Sequence, residues 1–231
     1  GQVIGDRDPC FKIEHFEQLP DATDRLLLGE KMVARADLHE DRLRSQSHLR
    51  GEQAFGVAAD EVFANVAAVQ IVACGTSYHA GMVARYWLEA LAGIPCQIEV
   101  ASEFRYRDPI LDRQTLVVAI SQSGETMDTL MALRYAREQG AKVLAICNTQ
   151  GSTIPRESDA VLYTYAGPEV AVASTKAFLT QIVACYLVAL FVAQVRGNKY
   201  GDEILAVVRE LQDMPQKVDL VLDTTEEMKA L

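Results

Sequence analysis

Short apolar runs alternate with longer segments of helical period along most of the chain. The runs are "VQIVAC", "CQIEVA", "TLVVAI", "KVLAIC" and "DAVLYT", and each predicts a short buried strand. Between them, "YHAGMVARYWLEALAG" and "MDTLMALRYAREQG" repeat apolar residues every three or four positions and end at Gly93 and Gly140. Glycine commonly follows the last turn of a helix. The alternation predicts an α/β fold, with a five-stranded parallel sheet and helices on both faces.

The two ends of the chain have different patterns. Residues 1–52 are polar and mixed in charge, and we interpret them as an N-terminal segment or linker. "EQAFGVAADEVFANV" has helical spacing and leads into the first strand. After position 197, two amphipathic helices are predicted with a break near Pro215. We therefore expect an α/β domain at 53–197 and a helical connector at 198–231.

One apolar stretch is nearly long enough to cross a membrane. "AFLTQIVACYLVALFVAQV" runs from Ala177 to Val195, and a spanning helix needs about 20 apolar residues. It contains Thr180, Gln181 and Gln194, and it follows a strand-and-helix pattern. We predict a buried core helix and no membrane association. The N-terminus shows no apolar signal-peptide core.

Charge and cysteine content narrow the function classes. The net charge is −10 and no basic cluster is visible, so we expect no nucleic acid partner. The five cysteines form no CxxC pair and no metal spacing with histidine. Reduced, mostly buried thiols are the expectation for such a chain, in a cytoplasmic protein.

Hydroxyl-bearing residues collect where the predicted strands end. "CGTS" follows the first strand, "SQSGET" follows the third, and "VASTK" precedes the last long helix. In a parallel sheet these positions share one edge, where ligands bind. The first N–H groups of a helix also lack intrahelical acceptors and favour an anion. Ser121, Ser123 and Thr126, with Gly124 admitting close backbone approach, therefore suit a phosphate group.

Two interpretations of these loops remain open from the residues alone. Any one loop is explained by helix capping, whereas three on one sheet edge favour binding. Four hydrogen bonds to a charged group give roughly 6–12 kcal/mol, against an association cost of about 4–15 kcal/mol. We therefore expect weak affinity, on the order of millimolar to tens of micromolar. The chain has no P-loop and no dinucleotide fingerprint.

Several of these motifs together resemble a known family. "ACGTSYHAGMVARYW", "ASEFRYR", "SQSGETMDTL", "LAICNTQGSTIPRESD" and "VASTKAF", over roughly residues 55–200, are similar to the first SIS (sugar isomerase) domain of the glucosamine-6-phosphate synthases, or glutamine–fructose-6-phosphate aminotransferases. The resemblance implies a flavodoxin-like three-layer SIS fold and a role in hexosamine and UDP-N-acetylglucosamine biosynthesis. It implies fructose 6-phosphate or glucosamine 6-phosphate as ligand, no metal or organic cofactor, and a homodimer.

The resemblance also implies roles for individual residues. The phosphate would be bound by Ser121, Gln122, Ser123 and Thr126. The sugar would be contacted by Thr76 and Ser77 near its reacting end, and by Val172, Ala173 and Ser174 on the far side. The family's glutaminase and second SIS domain have no counterpart in these motifs. We therefore expect little or no catalysis by this chain alone, and no catalytic residue is assigned.

Other residues and functions stay open. His79 and the carboxylates Glu103, Glu125 and Glu169 are the candidate bases if the chain is instead a complete homodimeric phosphosugar isomerase. Lys176 suits either a ligand phosphate or a structural ion pair. The third alternative is a non-enzymatic sensor of an amino-sugar phosphate. We expect Trp87 to pack in the core and Glu103–Arg107 to form an ion-paired, aromatic cluster.

Overall fold

The structure is a computed structural model, and it describes residues 54–169 and 174–224. Its strands are β1 Ala68–Ala73, β2 Cys96–Val100, β3 Thr115–Ser121, β4 Lys142–Cys147 and β5 Ala160–Tyr163. All neighbouring strands are parallel, in the order β2-β1-β3-β4-β5. Each strand overlaps the apolar run that predicted it, so the predicted five-stranded parallel sheet is confirmed.

Helices connect and follow these strands. Those with described bounds are α1 Ala59–Phe63, α2 Gly75–Ala92, α3 Ala101–Tyr106, α4 Met127–Glu138, α5 Thr153–Glu157, α6 Lys176–Val195, α7 Gly201–Gln212 and α8 Met214–Asp223. The predicted C-terminal helices are therefore present. Pro215 lies in the first turn of α8, where its missing N–H costs no hydrogen bond.

Two hydrophobic cores lie on opposite faces of the sheet. One contains residues of α1, α2, α6 and α7, and the other contains residues of α3, α4 and α5. Residues of the central strand β3 are all buried, because helices cover both its faces. This is why the strands have continuous apolar runs rather than alternating ones. Large side chains such as Phe104 and Leu144 are fully buried, which contributes roughly 1.5–3 kcal/mol each.

The longest apolar helix of the described residues, α6, is a core helix, as predicted. By length and composition it would qualify to cross a membrane, with a mean hydropathy of 2.1. However, 61% of that apolar window is buried inside the protein. Trp87 of α2 packs against Tyr186 of α6 with ring centroids 4.6 Å apart, and it is half-buried at the margin of the core rather than inside it.

Arg196, just beyond α6, shows how α6 lies against α2. Its guanidinium donates to Ala92 O at 2.8 Å, to Gly93 O at 3.4 Å and to Val66 O at 3.1 Å. The C-terminal ends of α2 and α6 are therefore side by side. The two helices have 18 and 20 residues and pack along each other, so their N-terminal ends also lie together, at the carboxyl edge of the sheet.

The structure differs from the sequence-based expectation in three places. The helix predicted before β1 is short, because Gly56 adopts φ 97° and interrupts it before Ala59. The "CGTS" segment is not a free loop, since α2 already begins at Gly75. The helices α3 and α5 have six and five residues, too few turns for a recognisable period. Residues 1–52, interpreted as a linker, lie outside the described residues.

Candidate functional site

The loop that follows β3 is closed by one of its own hydroxyl groups. We call residues 121–126 the β3 loop. The Gly124 N–H donates to Ser121 Oγ at 3.0 Å, and Ser121 Oγ lies 3.2 Å from Thr126 Oγ1. A hydroxyl has a single proton, so only one member of this pair donates to the other. The remaining proton of the pair is left to donate to a ligand.

A second hydroxyl in the same loop is also left with its proton. Ser123 Oγ accepts from the Glu125 N–H at 3.2 Å, and its own proton has no acceptor among the described residues. The side chains of Ser123 and Thr126 are half-buried, whereas Ser121 is only 2% exposed. The β3 loop therefore presents hydroxyl donors at a partly shielded surface, where a hydrogen bond to an anion is stronger than in water.

Gly124 allows the β3 loop to press against the loop that follows β4. It has φ 68°, and an added Cβ would lie 1.9 Å from Ser152 Oγ and 2.8 Å from Cys147 Sγ. The Ile154 N–H donates to Gly124 O at 2.9 Å. Both the left-handed backbone and the lack of space require glycine at this position. Burial also raises the pKa of the Cys147 thiol, so it stays protonated.

Glu125 connects the β3 loop to α5. Its Oε1 accepts from the Thr153 N–H at 2.7 Å and from Thr153 Oγ1 at 3.1 Å. These bonds, with the nearby charge of Arg156, lower the pKa of the Glu125 carboxyl. Glu125 is therefore a charged structural group, which does not suit the base of a proton abstraction.

The structure distinguishes helix capping from ligand binding at these loops. The N-cap residues of α2, α4 and α6 are Cys74, Thr126 and Thr175, and none makes a side-chain capping hydrogen bond. The hydroxyls of Ser121 and Ser123 bind N–H groups inside their own loop instead. The hydroxyl clusters are therefore not explained by capping of the helices that follow them.

The first turn of α2 carries the predicted sugar-binding residues Thr76 and Ser77. Thr76 is exposed, whereas Ser77 is 7% exposed and lies one turn before Gly81. A Cβ on Gly81 would lie 2.3 Å from Ile98 Cδ1, so α2 sits close to the sheet. The adjacent strands β1 and β3 bring this turn beside the β3 loop.

The start of α6 carries buried polar groups that lack partners. In the described part of the chain, Ser174 Oγ is buried without a hydrogen bond, and so are both amide atoms of Gln181, whose side chain is 0% exposed. The Ala177 N–H donates to Glu169 Oε2 at 3.2 Å. This end of α6 lies beside the start of α2, so Ser174 belongs to the same edge of the sheet. The predicted sugar-side residues Val172 and Ala173 lie outside the described residues.

Asn148 lies at the same edge of the sheet and was not among the residues predicted from the sequence. Its Oδ1 accepts from the Ala166 N–H at 2.8 Å and from Thr164 Oγ1 at 3.2 Å. Its Nδ2 donates to Gly167 O at 2.7 Å. One amide therefore holds the loop that follows β5. The only available signal was the position of Asn148 directly after a predicted strand, at the binding edge of a parallel sheet.

The remaining candidate bases are exposed or engaged elsewhere. His79 and Glu103 are exposed, and His79 stacks edge-to-face on Tyr78. Glu169 binds the start of α6. A self-contained isomerase needs a desolvated base, and none of these residues supplies one. Among the described residues Lys176 forms no ion pair, so its role as a structural salt bridge gains no support.

The cluster predicted around "EFRYR" is ion-paired and aromatic. Arg107 Nε donates to Glu99 Oε2 at 3.2 Å, and the buried Phe104 ring packs edge-to-face on Tyr135 at 6.1 Å. The cluster is therefore explained by packing. Within the described part of the chain no group of three or more histidine, cysteine or acidic side chains suits a metal ion. That the site needs no metal or organic cofactor stays a prediction.

Known proteins are similar to this chain over most of its length. A glutamine–fructose-6-phosphate aminotransferase (isomerizing) of Streptomyces coelicolor is 71% identical over 170 residues, which cover 74% of this chain and 28% of that protein. The corresponding protein of Mycolicibacterium paratuberculosis is 54% identical over 221 residues, covering 96% of this chain and 33% of that protein. This chain thus corresponds to about a third of these relatives or less.

A solved structure and a family comparison agree with this relationship. The C-terminal domain of a glucosamine-fructose-6-phosphate aminotransferase from Francisella tularensis superposes with a TM-score of 0.79 at 37% identity, over 91% of this chain and 58% of that one. The SIS domain family matches residues 63–191, which include every strand and most of α6. The chain belongs to the SIS domain family.

Proposed function

We propose that this chain is the first SIS domain of a glutamine–fructose-6-phosphate aminotransferase and that it binds fructose 6-phosphate or glucosamine 6-phosphate. The whole enzyme would act in hexosamine and UDP-N-acetylglucosamine biosynthesis in the cytoplasm. The observation that carries the proposal is the β3 loop, whose hydroxyl protons remain after its internal bonds are made. The high identity to aminotransferases over most of the chain supports the choice of ligand.

In this proposal the phosphate lies against the β3 loop, at the N-terminal end of α4. Ser121, Gln122, Ser123 and Thr126 bind it, together with the first N–H groups of the helix. Those N–H groups attract an anion because the helix dipole is positive there. Uncharged donors favour a ligand that is bound and released readily, as a metabolic phosphosugar must be.

The sugar extends from the phosphate toward the paired starts of α2 and α6. Thr76 and Ser77 contact it near its reacting carbons, and Val172, Ala173 and Ser174 line the far side. The unpartnered Ser174 hydroxyl supports this assignment, because a buried hydroxyl without a partner costs about 1–3 kcal/mol and a sugar hydroxyl would satisfy it.

Domain limits and assembly follow from the same proposal. In this proposal residues 53–197 are the SIS domain and residues 198–231 are its helical connector. The domain pairs as a homodimer. This chain alone does not convert fructose 6-phosphate to glucose 6-phosphate and does not hydrolyse glutamine. Turnover by the purified chain would favour the alternative of a self-contained isomerase.

Ligand-induced thermal stabilisation tests the proposed binding. Fructose 6-phosphate and glucosamine 6-phosphate are each added to the purified chain, with fructose as the control that lacks phosphate. A ligand at 100-fold excess over its Kd should add about 2.7 kcal/mol of stability. We expect both phosphosugars to stabilise the chain and fructose to have no effect.

Single substitutions test the β3 loop itself. We expect Ser123→Ala and Thr126→Ala each to weaken phosphosugar binding by about tenfold, since each removes a donor to a charged group. The matched control is Ser158→Ala, whose hydroxyl donates to Ile154 O before β5, at the opposite edge of the sheet. Unchanged affinity in both loop variants would contradict the assignment.

A further inference from the structure

Two consecutive residues after β4 bind two different loops at the carboxyl edge of the sheet. The Thr149 N–H and Thr149 Oγ1 both donate to Gln122 O, at 3.2 and 3.3 Å. These bonds fix the backbone of the β3 loop. The side-chain amide of the preceding residue, Asn148, binds the loop after β5 instead. We call residues 164–169 the β5 loop.

The Asn148 side chain satisfies groups that would otherwise be buried without a partner. Ala166 is 0% exposed, and its N–H bonds to Asn148 Oδ1. Thr164 is also 0% exposed, and its hydroxyl donates to the same oxygen. Loss of the amide would leave both donors unsatisfied in the protein interior, which favours a different path for the loop.

The backbone of the β5 loop is strained, so it needs such a constraint. Tyr165 has φ 51° and Gly167 has φ 69°, both in the left-handed region. For a residue with a bulky side chain this conformation is costly, and it persists only where surrounding bonds impose it. The amide of Asn148 bonds to Ala166, between these two residues, and to the carbonyl of Gly167.

The β5 loop in turn leads to the sugar side of the site. Glu169, at its end, accepts the Ala177 N–H at 3.2 Å. That bond ties the loop to the first turn of α6, directly after Ser174 and Thr175. The hydrogen bonds of Asn148 to Gly167 and of Glu169 to Ala177 therefore connect Asn148, through the β5 loop, to the turn that follows Ser174.

We propose that Asn148 is a positioning residue for the sugar side of the site and that Thr149 has the matching role for the phosphate side. Asn148 sets the path of the β5 loop and thereby the place of Ser174. Thr149 sets the backbone of the β3 loop. The two residues that follow β4 thus act separately: Thr149 affects the affinity for phosphate, and Asn148 affects the preference for the sugar phosphate over phosphate alone. This inference rests on the proposed function.

The ratio of the dissociation constants for fructose 6-phosphate and inorganic phosphate tests whether Asn148 and Thr149 act on different sides of the site. Fructose 6-phosphate and inorganic phosphate are titrated into the full chain, with binding followed by NMR. We expect Asn148→Ala to weaken fructose 6-phosphate binding by about tenfold and inorganic phosphate binding by less than about twofold. Thr149→Val should weaken the binding of both ligands by a similar factor, about threefold, and leave the ratio of their dissociation constants unchanged.

A second variant keeps the test valid if Asn148→Ala folds poorly. Thr164→Val keeps the shape of the side chain and removes only the hydroxyl that donates to Asn148 Oδ1. It should lower the preference for fructose 6-phosphate over inorganic phosphate in the same direction, by about threefold. A purely structural role would lower thermal stability in both variants and leave that preference unchanged.

The outcomes separate this inference from the function on which it rests. If the unsubstituted chain binds fructose 6-phosphate more tightly than inorganic phosphate and both Asn148→Ala and Thr164→Val keep that preference, the inference is wrong and the proposed function stands. If the unsubstituted chain binds neither ligand, the proposed function is wrong and the inference fails with it. A loss of preference confined to these two variants supports both.

Discussion

The β3 loop and the start of α6 are built in opposite ways, although they lie at the same edge of the sheet. In the β3 loop, oxygens of Ser121, Ser123 and Glu125 accept protein N–H groups. At the start of α6, the Ser174 hydroxyl and the Gln181 amide are buried without partners among the residues that the structure describes.

The contrast indicates which part of the site exists before a ligand arrives. The bonds within the β3 loop and those to its neighbours hold its shape without a ligand, and its hydroxyl protons are left over for an anion. A buried polar group without a partner carries a cost that a ligand or a bound water would remove. We infer that the side proposed to bind phosphate is preformed and that the side proposed to bind the sugar is completed by what binds there.

The largest loss of stability should come from Gly124→Ala, which disturbs the preformed β3 loop. The new methyl group would overlap Ser152 Oγ, and that hydroxyl cannot turn away without losing its 2.7 Å bond to Thr149 O. Overpacking together with left-handed strain should destabilise the protein by about 2–4 kcal/mol. Urea unfolding measures the loss.

The matched control for this substitution is Gly151→Ala. Gly151 has φ 72° and nothing within 4 Å of an added Cβ, so it reports the backbone strain alone. We expect about 1 kcal/mol there. Equal losses in the two variants would mean that the close approach at Gly124 contributes nothing, and the β3 loop would not be held as described.

Ser121→Ala should have the next largest effect. It removes the acceptor of the Gly124 N–H, which is then buried without a partner, and the expected loss is about 1–3 kcal/mol. Ser123→Ala, in the same loop but half-buried, should cost less than about 0.5 kcal/mol while still weakening ligand binding. Equal destabilisation by both variants would contradict the difference in burial.

Gln181→Met should raise the stability rather than lower it, because it removes a buried amide, at the start of α6, that has no partner among the described residues. Methionine has a similar shape and brings no unpaired amide, so stability should rise by about 1–2 kcal/mol in thermal or urea unfolding without ligand. Thr180→Val is the control, since that buried hydroxyl already donates to Ala177 O. A loss of stability in Gln181→Met would mean that the amide has a partner in the free protein.

The smallest effect concerns Glu125 and pH. Its pKa is lowered from 4.5 by the Thr153 bonds, so its stabilising contribution is present above pH 4.5 and disappears as the pH falls through the lowered pKa. The stability difference between the unsubstituted protein and Glu125→Gln should therefore shrink in acid below pH 4.5. Thr153→Val removes the hydroxyl that donates to Glu125 and keeps only the backbone N–H. In that background, the pH-dependent effect of Glu125→Gln on stability should be smaller.

Sequence patterns predicted the elements that are long enough to show a period. All five strands and the core helix α6 were recognised because burial on two faces leaves continuous apolar runs. The short helices α3 and α5 were missed because five or six residues show no period. Asn148 was missed because its three hydrogen bonds go to residues 16 to 19 positions away.

By itself, the sequence determined the order of strands and helices along the chain, because hydrophobic period and turn residues are local properties. It also determined that hydroxyl residues follow the strands and so gather at one edge of the sheet. Only the tertiary structure decided which of those hydroxyls keep a proton to donate, which loop presses on Gly124, and that α6 starts beside α2. Each of these depends on contacts between residues far apart in the chain. Such contacts exist only once the sheet and its two layers of helices have assembled.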